Sequence, residues 1–162
     1  SRFGVMFFDD PVAAFTNMRA ALRPGGRLAF SCWQGIEAND WMLVPGVAAA
    51  EHVGLPDLGA AEGPGPFSLA DPDHLDDLLR AAGYTDRRIE PFATTVLVGG
   101  GGGIDETLEY LVTSGLGRAL LDDAAPDARA AAIGAVRAAL EPHLGDDGVR
   151  LGGAAWIVTA GF

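Results

Sequence analysis

The side chains able to do chemistry are few, and they are poorly spaced for a catalytic triad. His52, His74 and His143 stand far apart, two in predicted helices and one beside Pro142, and read as solvated surface residues. The single cysteine, Cys32, lies inside the apolar run RLAFSCW, where a thiol is buried and inert. No CxxC or Cys/His spacing suggests a metal. The acidic pairs Asp9-Asp10, Asp76-Asp77, Asp122-Asp123 and Asp146-Asp147 fall at caps, helix faces and turns, which suits solvated roles better than a catalytic dyad. No general base or nucleophile can be named from this set. What remains is aromatic and polar: Phe3, Met6, Phe7 and Phe8 near the start, Trp33 and Gln34 at the end of RLAFSCW, then Asn39 and Trp41. Such rings can wall a pocket for a flat or apolar ligand, or face a cation. They can equally be core, and for Phe7 and Phe8 core is the preferred reading.

The elements that must hold these residues alternate. Residues 1–8 are aromatic and β-branched enough to end a buried strand. Asp10-Pro11 then opens a helix, with Asp10 as cap and Pro11 at the first helical position, and Phe15, Met18 and Leu22 give it one apolar face. Arg23-Pro24-Gly25-Gly26 has the order of a type II turn, and Arg27 to Trp33 reads as a buried strand. A short helix is expected over Trp41 to Val53, followed by an exposed Gly/Pro connection at Gly63-Pro64-Gly65-Pro66. Asp71-Pro72 repeats the cap-plus-proline device before a helix closed by Gly83. A strand from Thr85 to Val98, bent at Pro91, is broken by Gly99 to Gly103, which reads as a flexible connection. Helices are expected over Ile104 to Thr113 and Pro126 to Leu140, and a last strand over Ala154 to Ala160. Such alternation predicts a layered α/β fold with a mainly parallel sheet.

Composition narrows the function classes. The 162 residues, 49% hydrophobic, suit one globular domain with a real core. Twenty-two acidic residues against 11 basic ones give a net charge of -11, which repels phosphate backbones and anionic lipid, and the scattered bases form no patch in sequence. Nucleic-acid and membrane-surface binding are therefore not expected. No apolar run approaches the ~20 residues that span a bilayer, and one cysteine fits a reducing cytoplasm.

The stretch SRFGVMFFDDPVAAFTNMRAALRPGGRLAFSCW, residues 1–33, resembles the middle of class I S-adenosylmethionine-dependent methyltransferases, in particular the ubiquinone/menaquinone-biosynthesis-like branch with its methyltransferase type 11/25 domain. LRPGGRLAF is its sharpest part. LLRAAGYTDRRIE, residues 78–90, looks like that family's helix, glycine cap and sixth strand, and GGAAWIVTAGF, residues 152–162, like its final strand. The resemblance implies a Rossmann-like, doubly wound sheet ordered 3-2-1-4-5-7-6, of which residues 1–3 would end strand four and residues 27–33 would form strand five. The Gly-rich cofactor loop and strands one to three would lie upstream. Residues 1–162 would then be a single partial methyltransferase domain, with 34–70 as a lid or acceptor-side insertion and 104–145 as a helical insertion before the last strand.

The implied activity is methyl transfer from S-adenosylmethionine to a small-molecule acceptor. By the same resemblance Ser1, Arg2, Phe3, Gly4 and Met6 would wall the methionine end of the cofactor, and Trp33, Gln34 and Trp41 the acceptor, with Asn39 nearby. No phosphate is present in that cofactor, so the late pentaglycine is not a substitute for the missing loop. Two other readings stay open. A remnant without strands one to three could be a non-catalytic interaction module, its exposed strand-four edge pairing with another chain, for instance as a homodimer. A nicotinamide-dependent reductase would share the alternation, yet no G-x-G-x-x-G follows a strand within these residues.

Overall fold

A computed structural model describes residues 1–55 and 63–162. In chain order the elements are α1 (Pro11–Ala20), β1 (Arg27–Trp33), α2 (Asp40–Val53), α3 (Pro72–Ala81), β2 (Thr85–Leu97), α4 (Ile104–Thr113), α5 (Gly115–Leu121), α6 (Pro126–Leu140), β3 (Leu144–Gly145) and β4 (Gly148–Gly161). The chain divides into two compact units, and β2 and β4 each contribute residues to both. The part of the expected 34–70 insertion that falls on 56–62 lies outside the described residues.

The first unit comprises Ser1–Ala38, the described residues of Gly59–Ala93, and Ala154–Phe162. Asp10 starts α1 by accepting the Ala13 N–H at 2.9 Å, Pro11 needs no donor there, and Phe15 is carried to full burial. The Gly26 N–H closes the Arg23–Gly26 turn onto the Arg23 carbonyl at 2.7 Å, with Gly25 at φ +75° as a type II turn requires. This turn delivers the chain into β1. Asp71 caps α3 by accepting from the Asp73 and His74 amides, and α3 buries Leu75 and Leu79 completely. It ends at Gly83, with the Tyr84 N–H returning to the Leu79 carbonyl at 3.0 Å in a Schellman arrangement. Buried Tyr84 then donates its hydroxyl to the Phe15 carbonyl, so its one polar atom is satisfied inside the core.

Strand order in the sheet is β1-β4-β2. β4 runs antiparallel to β1, from Arg27 opposite Gly161 to Trp33 opposite Ala155. Ahead of β1, Arg2 makes a parallel bridge to Ser31, built from the Phe3 N–H on the Ser31 carbonyl at 3.0 Å and the Ser31 N–H on the Ser1 carbonyl at 3.1 Å. The expectation of a mainly parallel sheet is thus wrong for β1 and β4. Apolar periodicity reports which residues are buried but carries no information on direction, and AAWIVTA suits a central strand whichever way it runs.

Two local expectations also change. A 3-10 turn over Val5–Phe7 points Val5 and Met6 inward and leaves Phe7 55% exposed, so Phe7 is not core, whereas Phe8 packs edge-on to Phe15. The stretch 63–66 is mostly half-buried rather than exposed, because the Gly65 N–H and the Ser68 hydroxyl both donate to the Met6 carbonyl, at 3.0 and 2.7 Å.

The second unit comprises the described residues of Asn39–Leu58, and Thr94–Gly153. Here α2 packs along α6, and Ala49, Val98, Leu108, Leu121, Ala132 and Leu140 are among its buried residues. The pentaglycine is not an open linker. Gly99 to Gly102 all take positive φ, and an added Cβ on Gly148 would stand 3.0 Å from both the Gly101 Cα and the Gly102 carbonyl oxygen. Two glycine segments meet backbone to backbone, a distance no side chain permits. Gly103 then leads into α4, with its N–H held by the Glu106 carboxylate at 2.9 Å. Helix α5, capped by Ser114 on the Gly117 amide, lies within the stretch 104–145 expected to be helical, between the two helices placed there; the β3–β4 hairpin was not expected from the sequence, and β4 starts six residues before Ala154.

Candidate functional site

The candidate residues of the first unit gather at the C-terminal end of β1. Once the Arg2 bridge is made, Phe3 turns the chain away with φ +59°, a left-handed backbone that costs a bulky residue about 1–2 kcal/mol. Its ring lies flat on Trp33, with centroids 4.1 Å apart and planes 16° from parallel. Behind the pair, Met6 is 2% exposed, and its Sδ accepts the Trp33 N–H at 3.4 Å. Gln34 follows, its backbone N–H donating to the Ala154 carbonyl at 3.0 Å and its Nε2 to the Ala155 carbonyl at 2.9 Å. β4 therefore fixes the amide and Phe3 fixes the indole.

Ser1 and Arg2 are exposed, and the Ser1 nitrogen donates to the Ala29 carbonyl at 2.9 Å. Among the described residues the Arg2 amide and carbonyl have no partner, since a parallel bridge turns them toward the opposite edge. Gly4 is exposed with φ -91° and ψ -24°, so the backbone itself does not demand glycine. Phe3, Met6, Trp33 and Gln34 are thus brought together, with Ser1, Arg2 and Gly4 on the rim. Trp41 belongs to the second unit, where its Nε1 donates to Oδ1 of fully buried Asn39 at 3.1 Å. Its ring lies against β4 at Gly153, where an added Cβ would come within 3.4 Å of Cδ1.

Nothing in this arrangement supplies an evident nucleophile. Burial pushes the Cys32 thiol up to about 12, and its Sγ donates weakly to the Leu69 carbonyl at 3.8 Å. The three histidines are exposed. Among the described residues no three His, Cys, Asp or Glu side chains are placed to hold a metal, and no helix is long and apolar enough to cross a membrane. An open apolar groove of about 570 Å³ runs between α2 and α6, lined by residues such as Leu43, Val47, Ala135 and Ala138; it contains none of the candidate residues.

No family model matches the chain, and no curated protein matches it. Among solved structures it is similar to one described as a putative methyltransferase from Bacillus halodurans C-125, at 14% identity and a TM-score of 0.47, covering 99% of this chain. The chain spans 66% of that protein's length. So distant a likeness defines neither a family nor a shared activity. The structure by itself is that of a mixed α/β protein whose β1–β4 pair is antiparallel and whose candidate site is an aromatic pair at a sheet end.

Proposed function

We propose that this chain is the acceptor-side part of an S-adenosylmethionine-dependent methyltransferase of class I, acting on a small molecule. The observation that carries the reading is the strand order. The Arg2 segment lies parallel beside β1, and β4 lies between β1 and β2. That is the order 4-5-7-6 implied by the resemblance of residues 1–3, 27–33, 152–162 and 78–90 to that family. Likeness of short segments carries no strand order of its own, so the agreement in order supports the reading.

The residues present fit the cofactor in part. Phe3 and Trp33 offer half-buried π surface at a sheet end, a chemistry that attracts a positively charged sulfur. Exposed Gly4 leaves room on the rim. Met6 does not fit as a ligand, because its side chain is enclosed and its sulfur already accepts a hydrogen bond; its role is to hold the Trp33 backbone. When bound, the cofactor supplies an electrophilic methyl group, so the protein has chiefly to orient the acceptor and exclude water. Trp33 would wall the acceptor, and Gln34, its amide locked on β4, would set polarity beside it. Trp41 is a second aromatic candidate for the acceptor within its own unit.

Isothermal titration of the 162-residue chain with S-adenosylmethionine tests the reading. Saturable binding that weakens when Phe3 is replaced is expected; no binding up to millimolar ligand refutes it for this chain. The open Arg2 edge favours a second reading, a module that pairs with another copy through strand addition. Sedimentation of a chain with Arg2 changed to proline, which cannot donate along that edge, would then show loss of a dimer.

A further inference from the structure

Among the described residues of this acidic chain, one part-buried cation has no carboxylate paired with it. Arg19 sits in the last turn of α1, its guanidinium carbon 4.3 Å from the centroid of the Phe162 ring. On another side it lies 3.2 Å from where a Cβ on Gly83 would stand, so glycine there is what admits the guanidinium. Its Nε is buried without a hydrogen-bond partner, and among the described residues no carboxylate pairs with it. It therefore does not cap the carbonyls at the end of α1, the usual service of a terminal arginine. Its two Nη atoms are not enclosed in this way and keep their donors for solvent or a ligand.

Arg23 and Arg27 follow at the same end of the first unit, both exposed and neither paired with a carboxylate among the described residues. Arg27 stands opposite Gly161, the neighbour of Phe162. Acidic residues outnumber basic ones 22 to 11, yet these three arginines share one end unpaired. Asp86 approaches this end, its Oδ2 3.4 Å from where a Gly161 Cβ would stand, without pairing to any of them.

We propose that Arg19, flanked by Arg27 and Arg23, is an oxyanion-binding site that takes a phosphate or carboxylate group. The Phe162 ring beneath its guanidinium carbon holds Arg19 in place in advance, so little rotamer freedom is lost when two oxygens meet its fork. The site is independent of methyl transfer and uses none of the residues at the end of β1. Its ligand is either a phosphorylated small molecule or an acidic segment of a protein, and the two share the chemistry that Arg19 reads.

The test is isothermal titration at low ionic strength with two probes, sodium pyrophosphate and a hexaglutamate peptide. Saturation by pyrophosphate alone identifies a phosphate ligand; saturation by the peptide alone identifies an acidic partner; either supports the site. Arg19→Gln should weaken binding roughly tenfold, the value of charged hydrogen bonds to one guanidinium. Phe162→Leu should cost a few-fold, and Arg19→Lys should restore only part, since it returns charge without the fork. Arg129→Gln removes an equal charge from an exposed, carboxylate-free position in the second unit and should change nothing. Melting curves check that each variant folds. The proposal is overturned if neither probe binds, or if Arg129→Gln weakens binding as much as Arg19→Gln.

Discussion

Phe3 and Trp33 should prove to be one energetic unit, and a double-mutant cycle can measure it. The perturbation is replacement of each by leucine, singly and together. Leucine at position 3 keeps a Cβ and therefore the same backbone cost at φ +59°, so strain cancels around the cycle and the remainder is ring against ring. The Trp33 contact with Met6 is made by the backbone N–H and survives the substitution. Rings 4.1 Å apart and nearly parallel lie at the close end of stacked geometries, worth about 0.5–1.5 kcal/mol beyond the area they bury. Each single change also forfeits some burial of a half-buried side chain, roughly 1 kcal/mol. The singles should then each cost about 1.5–2.5 kcal/mol, with the double falling short of their sum by about 1 kcal/mol. Urea denaturation followed by circular dichroism reads this directly, provided the slope stays constant across the four proteins. In a chain of this size the coupling corresponds to roughly 2–4 °C in Tm. A coupling under about 0.3 kcal/mol, the ordinary scatter of independent sites, would show that the stack contributes nothing of its own and would remove the reason given for the orientation of Trp33.

Gly148→Ala should destabilise by about 2–4 kcal/mol, because φ is +129° and the new methyl would meet backbone at Gly101 and Gly102 rather than a movable side chain; a loss under about 1 kcal/mol in urea would contradict that packing. The Asp76–Arg87 pair gives a pH signature: the Arg87 hydrogen bond holds the Asp76 carboxyl below its ordinary 3.8, so its stabilisation is present above that value and lost as pH falls through the lower folded one. With Asp76 37% exposed, the pair is worth about 0.2–1 kcal/mol, and Asp76→Asn should lower the urea midpoint near neutrality by an amount that shrinks as pH falls through the lowered folded value; a deficit that stays constant with pH would refute the pairing. The Cys32 thiol, pushed up to about 12, should react with a disulfide reagent at mildly alkaline pH far more slowly in the native protein than in urea; equal rates would mean that the thiol is open.

Much of the architecture was legible because its signals are local. Asp10-Pro11 and Asp71-Pro72 state a helix start through one carboxylate and one missing donor, and both caps form as read. Strand β1 could be delimited because a type II turn precedes it and polar Gln34 follows it. What was lost depends on partners distant in sequence. Gly152 and Gly153 fall outside the Ala154 to Ala160 run that apolar patterning marks, yet both lie inside β4, where an added Cβ would come within 2.6 Å of Asp40 Oδ2 and of Val96 Cγ2 respectively. The β3–β4 turn falls on Asp146-Asp147 with Gly148 directly after it, a pair whose acidic character suits a solvated turn but does not by itself announce a hairpin. At the site, Phe3, Met6, Trp33 and Gln34 were legible as residue types. Which ring would stack, and that the sulfur of Met6 would face inward, follow from a register between segments about 30 residues apart.

Among the described residues, two other than glycine adopt positive φ, Phe3 and Asp86. They do not ask for the same explanation. Aspartate enters the left-handed region at little cost, because its short side chain can satisfy nearby backbone groups, and at the start of β2 that is sufficient. Phenylalanine has no such compensation, so its cost must be offset elsewhere. The visible offset is the face it lays on Trp33 and the turn it permits, which drops Val5 and Met6 into the core directly after the Arg2 bridge. A glycine at position 3 would make the turn without strain but would leave the indole without its stacked neighbour. The strain is therefore explained by the ring, whose contact with Trp33 offsets it.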